Sequence, residues 1–130
     1  MRQLGRARRR RGIIMAEAGA VYSVTILLVL GMMVAGLGVF RYQEVAFQAR
    51  QAARWASVQS GTPTPAQVLA GGITPIMIPR NRLTATVARP TINSVEYISV
   101  TLTYRWTPEA FPTALSPVTF TSTSRQPIAP

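Results

Sequence analysis

Three hydrophobic patterns follow one another along the chain. The first is a block of 23 residues without a charged side chain, Ala18 to Phe40, bounded by Glu17 and Arg41. At about 1.5 Å rise per residue, a helix of that length covers roughly 35 Å, enough for a hydrocarbon layer about 30 Å thick. The block holds no proline, and its only polar side chains are Tyr22, Ser23 and Thr25. A core helix of a soluble domain would carry a polar stripe, which this block lacks, so it predicts a membrane span. It also exceeds the roughly 7–15 apolar residues of a cleaved secretory signal, and the chain continues helically beyond it.

The second pattern, "RYQEVAFQARQAARWASVQSG", has no Gly or Pro before Gly61 and is rich in Ala, Gln and Arg, which favour helix. Tyr42, Ala46, Ala49, Ala53 and Ala56 alternate at four and three residues, a heptad seam of small side chains. The same spacing extends back through Val39, Ala35, Met32 and Leu28. The two patterns together predict one helix from about Ile14 to Ser60, roughly 70 Å long. Gly61 and the prolines of "TPTP" end it, and all ten prolines of the chain follow residue 61.

Beyond the prolines the period becomes two. In "SVEYISVTLTYRW", Ile98, Val100, Leu102, Tyr104 and Trp106 share one face, with Tyr97, Ser99, Thr101, Thr103 and Arg105 on the other. Such alternation through β-branched and aromatic residues predicts a strand. "RLTATVA" (82–88) alternates Leu83, Ala85 and Val87 with threonines, and "VTFTSTS" (118–124) sets Val118 and Phe120 against Thr119 and Thr121. "RPTIN" and "TPEAFPTALSP" supply turn residues. Three strands with one apolar face need a cover. The outer half of the helix is the expected one, through Phe47, Trp55 and Val58, with the alanine seam against the sheet or a partner helix. The expected fold class is α+β, a long N-terminal helix, half transmembrane and half amphipathic, under a small antiparallel sheet. Its parts are a basic cytoplasmic leader (1–12), a transmembrane helix (13–40), an amphipathic helical stalk (41–60) and a β-rich head (61–130).

Composition then removes most chemistries. The chain has no Cys, His, Asp or Lys, and four Glu. Disulfides, thiolate sites and the usual nucleophile–base pairs lack members, and scattered glutamates do not make a metal site. No catalytic group, cofactor, metal or small-molecule substrate is expected. The net charge of +10 is concentrated at the start: six Arg and no acid in residues 1–12, against eight Arg and four Glu in the rest. Arg6, Arg8, Arg9, Arg10 and Arg11 place the N-terminus in the cytoplasm and the remainder outside. They also favour anionic lipid headgroups, whereas nucleic acid is not expected without interleaved aromatics. Gly31 and Ala35 allow close helix packing within the span, as Ala46, Ala49, Ala53 and Ala56 do beyond it.

The stretch "RRRRGIIMAEAGAVYSVTILLVLG", followed by "GVFRYQEVAFQARQAARWAS", resembles the prepilin class III signal, and within that class the TadE-like pseudopilins of tight-adherence (Flp-type) pilus systems. The resemblance covers roughly residues 8–60. "QARQAARWAS" matches the family's alanine-rich segment in kind without its usual glycine; Ala18 stands where the family has an aromatic, and the span lacks the family's frequent proline. The resemblance implies a pilin-like fold in the bacterial cytoplasmic membrane and a prepilin-type peptidase that cuts between Gly12 and Ile13. It also implies partners among other pilin or pseudopilin subunits, docked through the N-terminal helix. Glu17, the fifth residue of the mature chain, would face the new amino terminus of a neighbouring subunit. A carboxylate at a membrane edge costs a few kcal/mol to immerse, so such a partner would select docking register. Two plainer readings stay open at this point. Glu17 is also a favourable acid near a helix N-terminus, and the chain also reads as an unprocessed bitopic anchor presenting a small β-rich binding domain.

Topology is the first testable consequence. Reporter fusions after Pro130 are expected to be active only outside the cytoplasm; activity confined to the cytoplasm would refute the charge-based orientation.

Overall fold

The computed structural model describes residues 3–108 and 116–128, with side chains from Ile14 onward. The chain forms two compact units, Met1–Gly36 and Leu37–Pro130. Helix α1 runs unbroken over Gln3–Ser57, so it begins in the leader rather than at Ile14 and stops short of Ser60. Residues 3–11 extend it because Gln, Leu, Arg and Ala, which favour helix, outweigh the single Gly5 among them. At the other end, Ser57 Oγ donates to the Arg54 carbonyl at 2.8 Å, and Gln59 N–H donates to Ala56 in a tighter turn at 3.3 Å. Gly61, with φ of 116°, then takes the left-handed conformation that turns the chain away.

In the 37–130 unit a short helical passage follows, α2 (Pro65–Gln67) running into a single π-helical turn at Val68–Gly72. A capping box starts it: Thr64 Oγ1 accepts from Gln67 N–H, and Gln67 Oε1 accepts from Thr64 N–H at 2.8 Å, with Pro65 in the first turn. A 3₁₀ turn at Arg80–Arg82 leads into the sheet.

The sheet is antiparallel throughout, with strands β1 (Leu83–Ala88), β2 (Thr91–Ile92), β3 (Val95–Trp106) and β4 (Val118–Pro127). Strand β3 is its spine. β1 pairs along one edge, from Leu83 opposite Tyr104 to Ala88 opposite Ser99. β4 pairs along the other, from Val118 opposite Trp106 to Pro127 opposite Tyr97. The "RPTIN" segment holds more than a turn. Thr91 and Ile92 form β2, and Asn93 and Ser94, at φ of 50° and 63°, make a two-residue hairpin of the primed type that suits strand twist. Of the expected turn between β3 and β4, residues 109–115 lie outside the described residues.

Ile98, Val100, Leu102, Tyr104 and Trp106 are all buried, together with Leu83 and Ala85 of β1, as the alternation predicts. β4 contributes less: Phe120 is half-buried and Val118 is exposed. Phe120 completes an aromatic row, its centroid 6.4 Å from Tyr104 and 6.0 Å from Trp106, with Tyr42 of α1 edge-on at 6.1 Å. On the opposite face the threonines pair across strands, Thr101 with Thr123 at 2.8 Å between hydroxyl oxygens.

The helical cover differs from expectation. Phe47 and Val58 are 60% and 79% exposed, and Trp55 is half-buried. The buried stripe consists of Gly38, Val45, Gln48, Ala49, Ala52, Ala53 and Ala56. Small side chains win because they let the backbones approach. A Cβ on Gly38 would lie 3.2 Å from the Trp106 ring.

Leu102→Ala is expected to cost about 2–5 kcal/mol, a buried large-to-small change, while Thr101→Ala on the outer face stays within about 1 kcal/mol. Chemical denaturation of the full chain in detergent measures both, and equal losses would contradict this register.

Candidate helix docking surfaces

In the unit ending at Gly36, the apolar side chains from Ile14 onward point away from any cover. Ile14, Met15, Leu27, Leu28, Met32 and Met33 are all exposed, as is Glu17. The helix over Ile14–Ser57 contains a stretch long and apolar enough to cross a membrane. Its two aliphatic hydroxyls fit that use: Ser23 Oγ donates to the Gly19 carbonyl at 2.9 Å and Thr25 Oγ1 to the Val21 carbonyl at 2.8 Å, leaving neither donor unpaired. Gly31 and Ala35 line a shallow apolar groove with Val24, Leu27, Leu28 and Met32. Nothing lies within 4 Å of a Cβ built on Gly31, so the groove is open to another helix.

The six small residues expected to mediate packing therefore divide. Gly31 and Ala35 remain uncovered, whereas Ala49, Ala53 and Ala56 are fully buried in the chain's own fold and Ala46 is half-buried. Arg6, Arg8, Arg9, Arg10, Arg11, Gly12 and Ile13 lie on the helical backbone, and their side chains are outside the described residues.

A second constellation was not anticipated from the sequence. Arg41, Glu44 and Gln48 occupy one face of α1 at three- and four-residue spacing and bind the backbone of segment 74–77. The Gln48 side-chain amide closes a two-way bond with Thr74, Nε2 donating to its carbonyl at 2.9 Å and Oε1 accepting from its N–H at 3.0 Å. Glu44 Oε1 accepts from the N–H groups of Ile76 (2.6 Å) and Met77 (2.9 Å). Arg41 Nη1 donates to the Met77 carbonyl at 3.1 Å and to the Tyr104 hydroxyl at 3.2 Å, its guanidinium 5.9 Å from the Trp106 ring centroid. In sequence this trio looks like an ordinary solvated helix face. The available signal was that Gln48 lies at three- and four-residue spacing from Val45 and Ala52, on an otherwise apolar face where a polar group must find partners.

Trp55 performs a related task by shape. A Cβ on Gly71 would meet its ring at 3.0 Å, and one on Gly72 would meet the ring at 3.2 Å and Ala52 Cα at 3.4 Å. Both glycines are there for close approach, since neither has a positive φ. A cleft beside Trp55, lined by residues including Gln59, Pro63, Gln67 and Gly71, has no titratable side chain in its walls. Among the described residues no three His, Cys, Asp or Glu side chains come together.

Comparison with known proteins adds no neighbour: no family model, curated protein or solved structure matches the chain.

Gln48→Leu preserves volume but leaves the Thr74 N–H and carbonyl without their partner, at an expected cost of about 1–3 kcal/mol. Gln51→Leu, at an exposed position of the same helix, should change stability by no more than about 0.5 kcal/mol. Urea titrations of the two variants check the difference.

Proposed function

We propose that the chain is a membrane-anchored structural subunit of the pilin type, a TadE-like pseudopilin of a tight-adherence pilus assembly system. A prepilin-type peptidase would mature it by cutting between Gly12 and Ile13. The observation that carries the reading is the division of α1. Its outer half buries its small residues within its own unit, while its first half exposes apolar side chains and one carboxylate, Glu17. In an unprocessed anchor α1 begins at Gln3, so Glu17 lies well past the first turn and gains nothing from the helix dipole. A chain that docks beside copies or relatives gains register from this carboxylate, because burying that charge is favourable only against a counter-charge. The amino group freed at Ile13 by cleavage lies about one helical turn from Glu17 and supplies that counter-charge to a neighbouring subunit. The open groove at Gly31 and Ala35 gives the neighbouring helix room to approach.

The N-terminal mass of the purified protein and a pair of substitutions test the reading. Loss of residues 1–12 supports processing, and an intact N-terminus supports the unprocessed anchor. Gly12→Leu should leave a full-length chain in the membrane. Glu17→Ala should still be cut yet fail to assemble. If neither substitution alters chain length or pilus formation in a strain that makes pili, the pseudopilin reading falls.

A further inference from the structure

We propose that the loop from Ile73 to Arg80 is a second, shallow membrane contact, which inserts Ile76 and Met77 into the lipid headgroup region at the level where the uncharged run ends. The inference rests on the reading of the uncharged run as a membrane helix, and it concerns a part of the chain far along the sequence from that run. Ile76 is 89% exposed and Met77 67%, in a loop whose flanking residues Ile73 and Ile78 are almost wholly buried. The backbone beneath this pair is held in place. The Arg41, Glu44 and Gln48 bonds fix the loop along α1, Arg80 Nη2 closes its base by donating to the Ile73 carbonyl at 3.0 Å, and Pro75 and Pro79 restrict the backbone on either side. A rigid loop that displays two large apolar side chains has already met the ordering cost of inserting them.

The direction of the loop identifies the occupant. Thr74 is bonded at the level of Gln48, Ile76 and Met77 at Glu44, and the Met77 carbonyl at Arg41. The loop therefore descends the helix toward Phe40, the last residue of the uncharged run. Glu44 lies four residues beyond Phe40, about 6 Å along the axis, and the headgroup layer of one leaflet is about 5–8 Å deep. Ile76 and Met77 thus sit within the thickness of that layer. Within the 37–130 unit Leu37, Val39 and Phe40 are exposed as well, so the apolar pair is not the unit's only large apolar surface near the end of the uncharged run. Arg41 and Arg80 border the pair, and the Glu44 carboxylate turns inward onto two N–H groups, which leaves a basic rim suited to anionic headgroups.

The absence of cysteine from the chain allows single-site labelling. Ile76→Cys carrying an environment-sensitive fluorophore would be reconstituted as full-length protein in phosphatidylcholine–phosphatidylglycerol vesicles. Leu28→Cys in the uncharged run and Thr86→Cys on the outer face of the sheet serve as references. The Ile76 label should be blue-shifted relative to Thr86 and quenched several-fold more strongly by lipids with a nitroxide near the headgroup, while Leu28 responds to nitroxides deep in the chains. Emission at Ile76 equal to that at Thr86, with Leu28 deeply quenched, would overturn the loop contact and leave the anchor intact. Shielding of Ile76 that follows protein density rather than nitroxide would also overturn it, by assigning the patch to a second copy of the chain. An unquenched Leu28 would remove the membrane reading on which the proposal stands.

Discussion

Close approach between α1 and the sheet is the constraint on which the 37–130 unit depends. A sheet that is apolar on one face must bury that face against another layer, so β3 requires a partner. The helix supplies one with a buried stripe made mostly of small side chains, Val45 and Gln48 apart. Gly38 lies against Trp106, and Ala49, Ala52, Ala53 and Ala56 are entirely buried. Each alanine gains little by its own burial. The gain lies in the large residues of the same core, Tyr104, Leu102, Val100 and Ile98, which are almost wholly removed from water.

The same closeness creates a demand for polar satisfaction. Segment 74–77 lies against the helix without joining the sheet, and its backbone groups have no ladder to enter. Arg41, Glu44 and Gln48 provide the partners. A side-chain amide mimics a strand by both donating and accepting, a carboxylate accepts two adjacent N–H groups, and a guanidinium ties a carbonyl to the Tyr104 hydroxyl. Without them the loop would keep its bonds to water but lose the ties that hold it along the helix, and the part-buried Thr74 groups would lose their partner. Arg41 thus marks the end of the uncharged run in the sequence and braces the fold in space.

Function, in the reading proposed, follows from how one helix divides its surface. The outer half is buried along its small-residue stripe within its own unit and is unavailable to other chains there. The first half keeps its apolar surface, its groove at Gly31 and Ala35, and Glu17 for lipid and for neighbours. Assembly through that half and folding through the other can then proceed without competing for the same residues.

Periodicity alone determined much of this molecule. The uncharged run and the alanine-rich segment after it made one long helix, because nothing in either breaks helical hydrogen bonding. The alternation in β3 named its buried face residue by residue, since a pleated strand leaves side chains no third direction. The candidate residues Gly12 and Glu17 were likewise visible as a spacing. Tertiary structure alone decided which helical face covers the sheet. Phe47, Trp55 and Val58 looked like the natural cover by size, yet the distance between layers, a property of both partners together, selected alanines and left Phe47 and Val58 outside. It also turned three polar residues of a solvated-looking helix into the brace for segment 74–77. Hydrogen-bond partners thirty residues away in sequence leave no periodic trace, because pairing is settled only when the chain has folded back.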